Sequence, residues 1–173
     1  PSFPRQFIQN NGNPMRQLIL LRHAHAESAG AGEDDAGRPL SDAGRTEARD
    51  AGKWLREHGI HPDRVLCSPT TRTRETWAAV DAELGSGIAA QLEPSIYDAT
   101  PGALIALADA NRDAPRLLLV GHNPGLEQLL ALLHSGQTGD YRGMPPGSIA
   151  VLGMPADAAL EPGIARLDAF WWP

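Results

Sequence analysis

The chain contains one cysteine, Cys67, and one lysine, Lys53. A lone cysteine excludes an internal disulfide and a cysteine-built zinc cluster. Cys67 ends an apolar run, so it reads as a buried structural thiol and not a reactive one. With lysine nearly absent, the other cations are arginines. Any anion site must then be built from guanidinium groups, which grip phosphate through paired donors. No apolar run approaches the roughly 20 residues of a membrane span. No basic-then-apolar leader is visible, which makes a cytoplasmic location, without membrane partners, the expectation. The formal net charge of −6 lacks the basic footprint of a nucleic-acid binder. Local field, not net charge, decides what enters a cleft.

The 173 residues carry an ordinary globular balance, 42% hydrophobic and 21% charged, enough for one domain with a sizeable core. Residues 1–14 are polar, rich in Pro and Asn and without periodicity, and read as a flexible arm or tag remnant. Residues 15–173 form the expected single domain. Strands are expected at 17–21, 64–67, 88–92 and 116–120. Two more, at 148–152 and 164–170, would be antiparallel neighbours. Helices fit 42–58, capped by Ser41 and stopped at Gly59; 69–84, with Ser68 as cap and Pro69 at the first position; 101–110, capped by Thr100 before Pro101; and a segment starting at Asn123-Pro124 and running to His134. Residues 29–38 and 135–146 read as solvated loops. Strands alternating with helices imply βαβ units and a largely parallel α/β sheet, mixed by the late strand pair.

Three strand-to-loop junctions carry residues of one chemical kind. Leu18-Ile-Leu-Leu21 ends in Arg22-His23. Cys67 is followed by Ser68-Pro-Thr-Thr-Arg72, which puts Arg72 in the first turn of a helix. Val120 is followed by Gly121-His122-Asn123-Pro124. Parallel strands place their C-terminal ends on one edge, where α/β sheets bind ligands. Arg22, Arg72 and two helix N-termini there would cradle a phosphoryl group. His122 would supply an N–H donor, charged or neutral according to its surroundings. His23 could then act as nucleophile and form a phosphohistidine that water hydrolyses, with no metal or cofactor. Taken singly, each residue has an ordinary reading: strand-end surface for Arg22, a hydrogen-bonded structural imidazole for His23, solvated helix surface for Arg72, a chain turn for His122. Their joint placement on one edge is what singles them out.

These three motifs, with Thr76, resemble the histidine phosphatase superfamily, and Ala24 after Arg22-His23 is similar to the branch of small SixA-type phosphohistidine phosphatases. Arg38-Pro39-Leu40-Ser41 with Gly44-Arg45, Tyr97 with Thr100-Pro101, and Pro146-Gly147-Ser148 leading into Ile149–Leu152 resemble it as well. The likeness spans about residues 16–170. It implies a three-layer α/β/α sandwich of phosphoglycerate mutase-like fold with a mostly parallel, mixed sheet and no cap domain, forming one catalytic domain. It implies His23 as the phosphorylated nucleophile, with Arg22, Arg72 and His122 binding phosphoryl oxygens and Asn123 beside them. The substrate it implies is a phosphohistidine protein or a small phosphorylated molecule.

The general acid that an alkyl phosphate ester requires is not assigned. Where some branches place an aspartate after the second histidine, this chain has Asn123. Asp98, Glu93 and Glu27 are candidates, as is the run Glu33-Asp34-Asp35, and solvated loop surface is the ordinary reading of each. Two rivals remain. His23-Ala24-His25 has the H-x-H spacing of some metallohydrolases, but no Asp-His follows it, Cys67 and His134 add no ligand spacing, and a barrel metallohydrolase usually needs about 250 residues. A phosphoprotein-binding module without turnover would use the same cradle, although an intact His23 speaks for catalysis. Trp171-Trp172 reads as a packed chain end or an interface anchor, Trp54 and Trp77 as packed helix residues, and Tyr97 as a pocket-mouth residue or a loop anchor.

Overall fold

The computed structural model describes residues 14–138 and 143–173; the expected arm, apart from Pro14, and positions 139–142 lie outside them. Strand β1 (Met15–Arg22) is covered on both sides. Leu18 and Leu20 pack into one core, Ile19 and Leu21 into the other. Burial on both faces is why this run is continuously apolar rather than alternating.

Around β1 lie β2 (Arg64–Cys67), β3 (Gln91–Leu92), β4 (Arg116–Gly121), β5 (Ile149–Pro155) and β6 (Arg166–Trp171), in the order β3-β2-β4-β1-β5-β6. The first four are parallel, and β5 and β6 are antiparallel additions along one side. Helices α1 (Asp42–Glu57) and α2 (Thr71–Leu84) cover one face, while α3 (Pro101–Ala110) and α4 (Gly125–Ser135) cover the other. This is the expected three-layer α/β/α arrangement. Among the described residues only two short 3-10 turns, at 35–37 and 94–96, accompany these elements, and no helical cap is inserted.

Local chemistry explains the helix ends. Ser41 Oγ accepts from Gly44 N and caps α1; Thr100 Oγ1 accepts from Ala103 N and caps α3, with Pro101 at its start. Helix α1 stops at His58, and Gly59 follows at φ +65°. The expected start of α2 was displaced. Its cap is Thr70, not Ser68, and Pro69 lies outside the helix, because Ser68 is held elsewhere: its carbonyl accepts from Thr73 Oγ1, 2.7 Å, and its hydroxyl pairs with His122. Helix α4 begins at Gly125, two residues later than expected, after a cis Asn123-Pro124 peptide. Strand β3 is shorter than expected, since the Ile88 carbonyl accepts from Trp77 Nε1 rather than joining the ladder. Strands β5 and β6 are also displaced from the expected ranges, with an irregularity between Val151 and Leu152.

Helices α1 and α2 meet across Gly52. A Cβ there would lie 2.2 Å from the Val80 carbonyl oxygen, so the helix backbones would have to part. Overpacking of this kind costs up to about 3 kcal/mol, which outweighs the gain of about 1 kcal/mol in helix propensity. Gly52→Ala should lower the Tm by roughly 4–8 °C in a thermal melt. An unchanged Tm would mean that the two helices separate without cost.

Trp77 and Cys67 are buried, and burial pushes the Cys67 thiol up to about 12, as suits a structural thiol. Trp171 stacks on Trp54, while Trp172 is exposed and lies against Phe170. No helix among the described residues is long and apolar enough to cross a membrane.

Candidate active site

The parallel strands end almost level. Arg22 is in register with Gly121, and Cys67 with Val120. The ladder continues into the junctions: His23 N donates to Gly121 O and Ser68 N to Val120 O. The start of β5 closes the same edge, with Arg22 N donating to Ser148 O and Gly147 N to His23 O. His23, Arg72 and His122 follow the ends of β1, β2 and β4, and Arg22 closes β1.

The four side chains converge. The rings of His23 and His122 are 5.3 Å apart, centre to centre. Arg22 and Arg72 both act electrostatically on both imidazoles. His23 Nδ1 lies 2.8 Å from the Ala24 carbonyl oxygen, to which it donates, so the ring carries its proton on Nδ1 and a lone pair on Nε2. Burial pushes the His23 pKa down to about 4. The Ala24 bond opposes this, and the charges of Arg72, Arg22 and Arg38 add to it. Burial, followed by the neighbouring His23 and Arg72, pushes His122 down to about 3, with Asp35 opposing. Both rings are neutral at pH 7.

The arginines are fixed by oxygen atoms from distant loops. Arg22 Nη1 donates to the Met144 carbonyl, 2.7 Å, and Asn123 Nδ2 donates to the same oxygen, 2.9 Å. The second Asn123 amide hydrogen goes to Glu127 Oε2, 3.0 Å. Both Asn123 donors are thus committed to the protein. In this geometry Asn123 braces the Met144 carbonyl. Arg72 is buried rather than solvated. Its Nη1 donates to the Asp35 carbonyl, 2.8 Å, and its Nη2 to Asp35 Oδ2, 3.1 Å. Thr76 Oγ1 accepts from Ala24 N and donates to Arg72 O, tying the end of β1 to the first turn of α2. The Nε atoms of Arg22 and Arg72 and His122 Nδ1 are buried without a protein partner.

Among the described residues, two carboxylates reach this group: Glu127, which acts electrostatically on Arg22, and Asp35, which binds Arg72. Asp35 is the one that ties in a distant loop. It sits in a 3-10 turn within what reads from sequence as a solvated loop. It is held by Arg72, by Arg38 Nε at 2.9 Å and by the Tyr97 hydroxyl at 2.8 Å. The Tyr97 bond and the two arginines bring its pKa down to about 2, so it is ionised at neutral pH. Tyr97 in turn sets its ring edge against His122, 5.6 Å between centres, at the mouth of the site.

No hydrogen bond or ion pair joins Glu27, Glu93 or Asp98 to the four residues. Glu27 is exposed, Glu93 accepts from Ser95 Oγ, and Asp98 is an exposed residue at φ +55°. His25 is exposed and paired with Glu47, and no three His, Cys, Asp or Glu side chains are grouped as a metal site among the described residues. Ser68 and the Met144 carbonyl are the members that sequence reasoning did not place; Asp35 falls in the run read as candidate acids, and Tyr97 takes the pocket-mouth position that was one of its two readings. Ser68 and Tyr97 stand in recognisable motifs, but nothing local marks their contacts.

The family model of the histidine phosphatase superfamily (branch 1) matches residues 18–104. An uncharacterised protein of Mycobacterium tuberculosis strain H37Rv is 37% identical over 161 residues, covering 86% of this chain and 98% of the relative. Phosphohistidine phosphatase SixA of Escherichia coli K12 is 30% identical over 128 residues, 70% of this chain and 76% of that protein. A solved structure of the protein histidine phosphatase SixA complexed with tungstate superposes with a TM-score of 0.77 at 25% identity, covering 91% of this chain and 97% of that one.

Proposed function

The chain belongs to the histidine phosphatase superfamily and is a phosphatase, and on that footing we propose that it hydrolyses phosphohistidine on a protein through a phosphorylated His23. The observation that carries this reading is the His23 ring itself. Its Nδ1 proton is held by the Ala24 carbonyl, and its Nε2 lone pair stands among two arginines and a second imidazole. In the first step His23 Nε2 bonds to phosphorus as the bond to the leaving nitrogen breaks. The electron pair leaves with that nitrogen, which takes a proton from water. In the second step water attacks phosphorus, the bond to Nε2 breaks, and phosphate and neutral His23 are released. Arg22, Arg72 and the N–H of His122 offset the charge that spreads over the equatorial oxygens.

The leaving group supports phosphohistidine over an alkyl phosphate. An alkoxide needs a proton as it departs, whereas an imidazole nitrogen departs more easily. Asp35, the carboxylate hydrogen-bonded to Arg72, is ionised at neutral pH and brings no proton. The absence of an inserted cap among the described residues also suits a phosphoryl group borne by a protein.

The test compares a phosphohistidine protein, an aryl phosphate and sugar phosphates, each against His23→Ala. Turnover of the first two, with sugar phosphates at least ~10²-fold slower, is expected. Sugar phosphates turned over fastest would indicate a small-molecule phosphatase. No turnover above the variant would indicate a binding module.

Acid should inhibit late. Nucleophilic His23 is the neutral form, and its folded pKa lies near 4, below the ordinary 6.5. Once the substrate's own phosphate ionisation, at pH ~6 for phosphate monoesters, is divided out, kcat/KM for the aryl phosphate should stay level from pH 8 to about 5 and fall through a midpoint near 4. A midpoint near 6.5 would show that His23 is not desolvated. Stability shares the sign. Below pH 6.5 the unfolded chain takes up protons that the buried rings refuse, so these two histidines subtract stability progressively as pH falls from 6.5 to about 3.

A further inference from the structure

The Ser68 hydroxyl belongs to a motif whose capping role passes to Thr70, and it is spent on a different task. Ser68 is fully buried, and its Oγ lies 2.8 Å from His122 Nε2. That is the hydroxyl's one hydrogen bond among the described residues. His122 Nδ1, on the other side of the ring, is buried and unpaired. Two tautomers fit this spacing, and counting satisfied groups separates them.

If Nε2 carried the proton, it would donate to Ser68 Oγ. The buried hydroxyl hydrogen would then have no acceptor, and the Nδ1 lone pair no donor. Two buried groups would go unmatched. If Nδ1 carries the proton, the Ser68 hydroxyl donates to Nε2, and both of those atoms are satisfied. One group remains, an Nδ1–H donor among Arg22, Arg72 and His23. Each unmatched buried group costs about 1–3 kcal/mol, so the second arrangement prevails. The donor left over is what a phosphoryl oxygen requires.

We infer that Ser68 is a positioning residue: by donating to Nε2 it holds His122 as the neutral Nδ1–H tautomer, so that His122 serves the reaction as a hydrogen-bond donor to a phosphoryl oxygen and not as a base. This rests on the proposed reading of His122 as a phosphoryl ligand. Ser68 touches no reacting atom; it acts through the imidazole. Without the hydroxyl the ring is free to move its proton to Nε2, and the site then presents a lone pair to an anion.

The tautomer is read directly from 15N-detected NMR of the histidine rings in the full chain, with His122 identified by its loss in His122→Asn. The expected spectrum has a protonated Nδ1 and an unprotonated Nε2, and adding vanadate shifts the Nδ1–H signal. Ser68→Ala should move the proton wholly or partly to Nε2 and weaken vanadate inhibition. It should also lower kcat/KM for an aryl phosphate by roughly 10-fold, the scale of one lost charge-assisted hydrogen bond. Ser68→Thr, which keeps the hydroxyl, should stay within about 3-fold of the parent in all three readouts. A parent spectrum with Nε2 protonated overturns the inference even if Ser68→Ala fails to fold. So does a folded Ser68→Ala with unchanged tautomer and vanadate affinity. An inactive parent enzyme that still shows the Nδ1–H tautomer would instead sink the functional reading and leave the tautomer assignment standing.

Discussion

His23→Ala brings turnover of an aryl phosphate down to background, a loss of at least ~10³-fold, and abolishes the covalent intermediate. An aryl phosphate needs no acid, so its hydrolysis reports the nucleophilic step itself. The effect is large because the other groups of the site bind and stabilise charge but have no lone pair to offer phosphorus. Arg22 and Arg72 are cations, and His122 is committed on Nε2 to Ser68. The substitution leaves the framework in place. The backbone bonds of His23 to Gly121 and Gly147, and that of Ala24 to Thr76, do not use the ring. The decisive measurement is an acid-labile label. Parent enzyme quenched during turnover of radiolabelled substrate should carry phosphate on nitrogen, lost in mild acid and kept in base. His23→Ala should carry none. Parent-like turnover by His23→Ala would remove the assignment.

Arg72→Ala is expected to lower kcat/KM by about 10²-fold or more, the scale of removing one preorganised donor to transition-state charge. Two terms add. A buried guanidinium is lost from the edge where β2 ends. The Asp35 carboxylate, which Arg72 neutralises through Nη2, also stays behind, since Tyr97 and Arg38 still hold it. The variant therefore presents an unbalanced negative charge to an anionic substrate, and vanadate inhibition should weaken in parallel. Arg72→Lys should recover little, because a lysine ammonium cannot contact the Asp35 carbonyl, its carboxylate and a phosphoryl oxygen in the planar geometry of a guanidinium. Arg22→Ala should act on the same scale, and His122→Ala similarly. Parent-like activity and vanadate affinity in Arg72→Ala would show that this arginine serves the helix alone.

The two arginines illustrate how far the residues could be read in order. Arg22 was legible because it closes an apolar run, and Arg72 because it falls one turn into a helix after a strand. Both signals depend on neighbours a few positions away. The partners of these arginines were not legible. Asp35 lies 37 residues from Arg72, in a loop whose composition signals solvent. Met144, whose carbonyl receives both Arg22 and Asn123, is an apolar residue whose side chain says nothing about its backbone oxygen. Asn123 shows the same limit from the other side. Its position beside His122 suggested a substrate ligand, and both its amide hydrogens are used within the protein. Ser68-Pro69 has the chemistry of a helix cap, and only the arrival of His122, 54 residues later in the chain, explains why the cap passed to Thr70.

By itself the order of residues determined the alternation of strands and helices, the expectation of a largely parallel sheet, and hence that two imidazoles and two guanidiniums share one edge. Those properties follow from periodicity, capping and chain direction, which act over a few residues at a time. Only the tertiary structure decided which carboxylate meets Arg72, which carbonyl holds Arg22 and which hydroxyl sets the His122 ring. Each of these is a contact between distant segments. Its geometry is set by how whole layers pack, and no short stretch of chain encodes that.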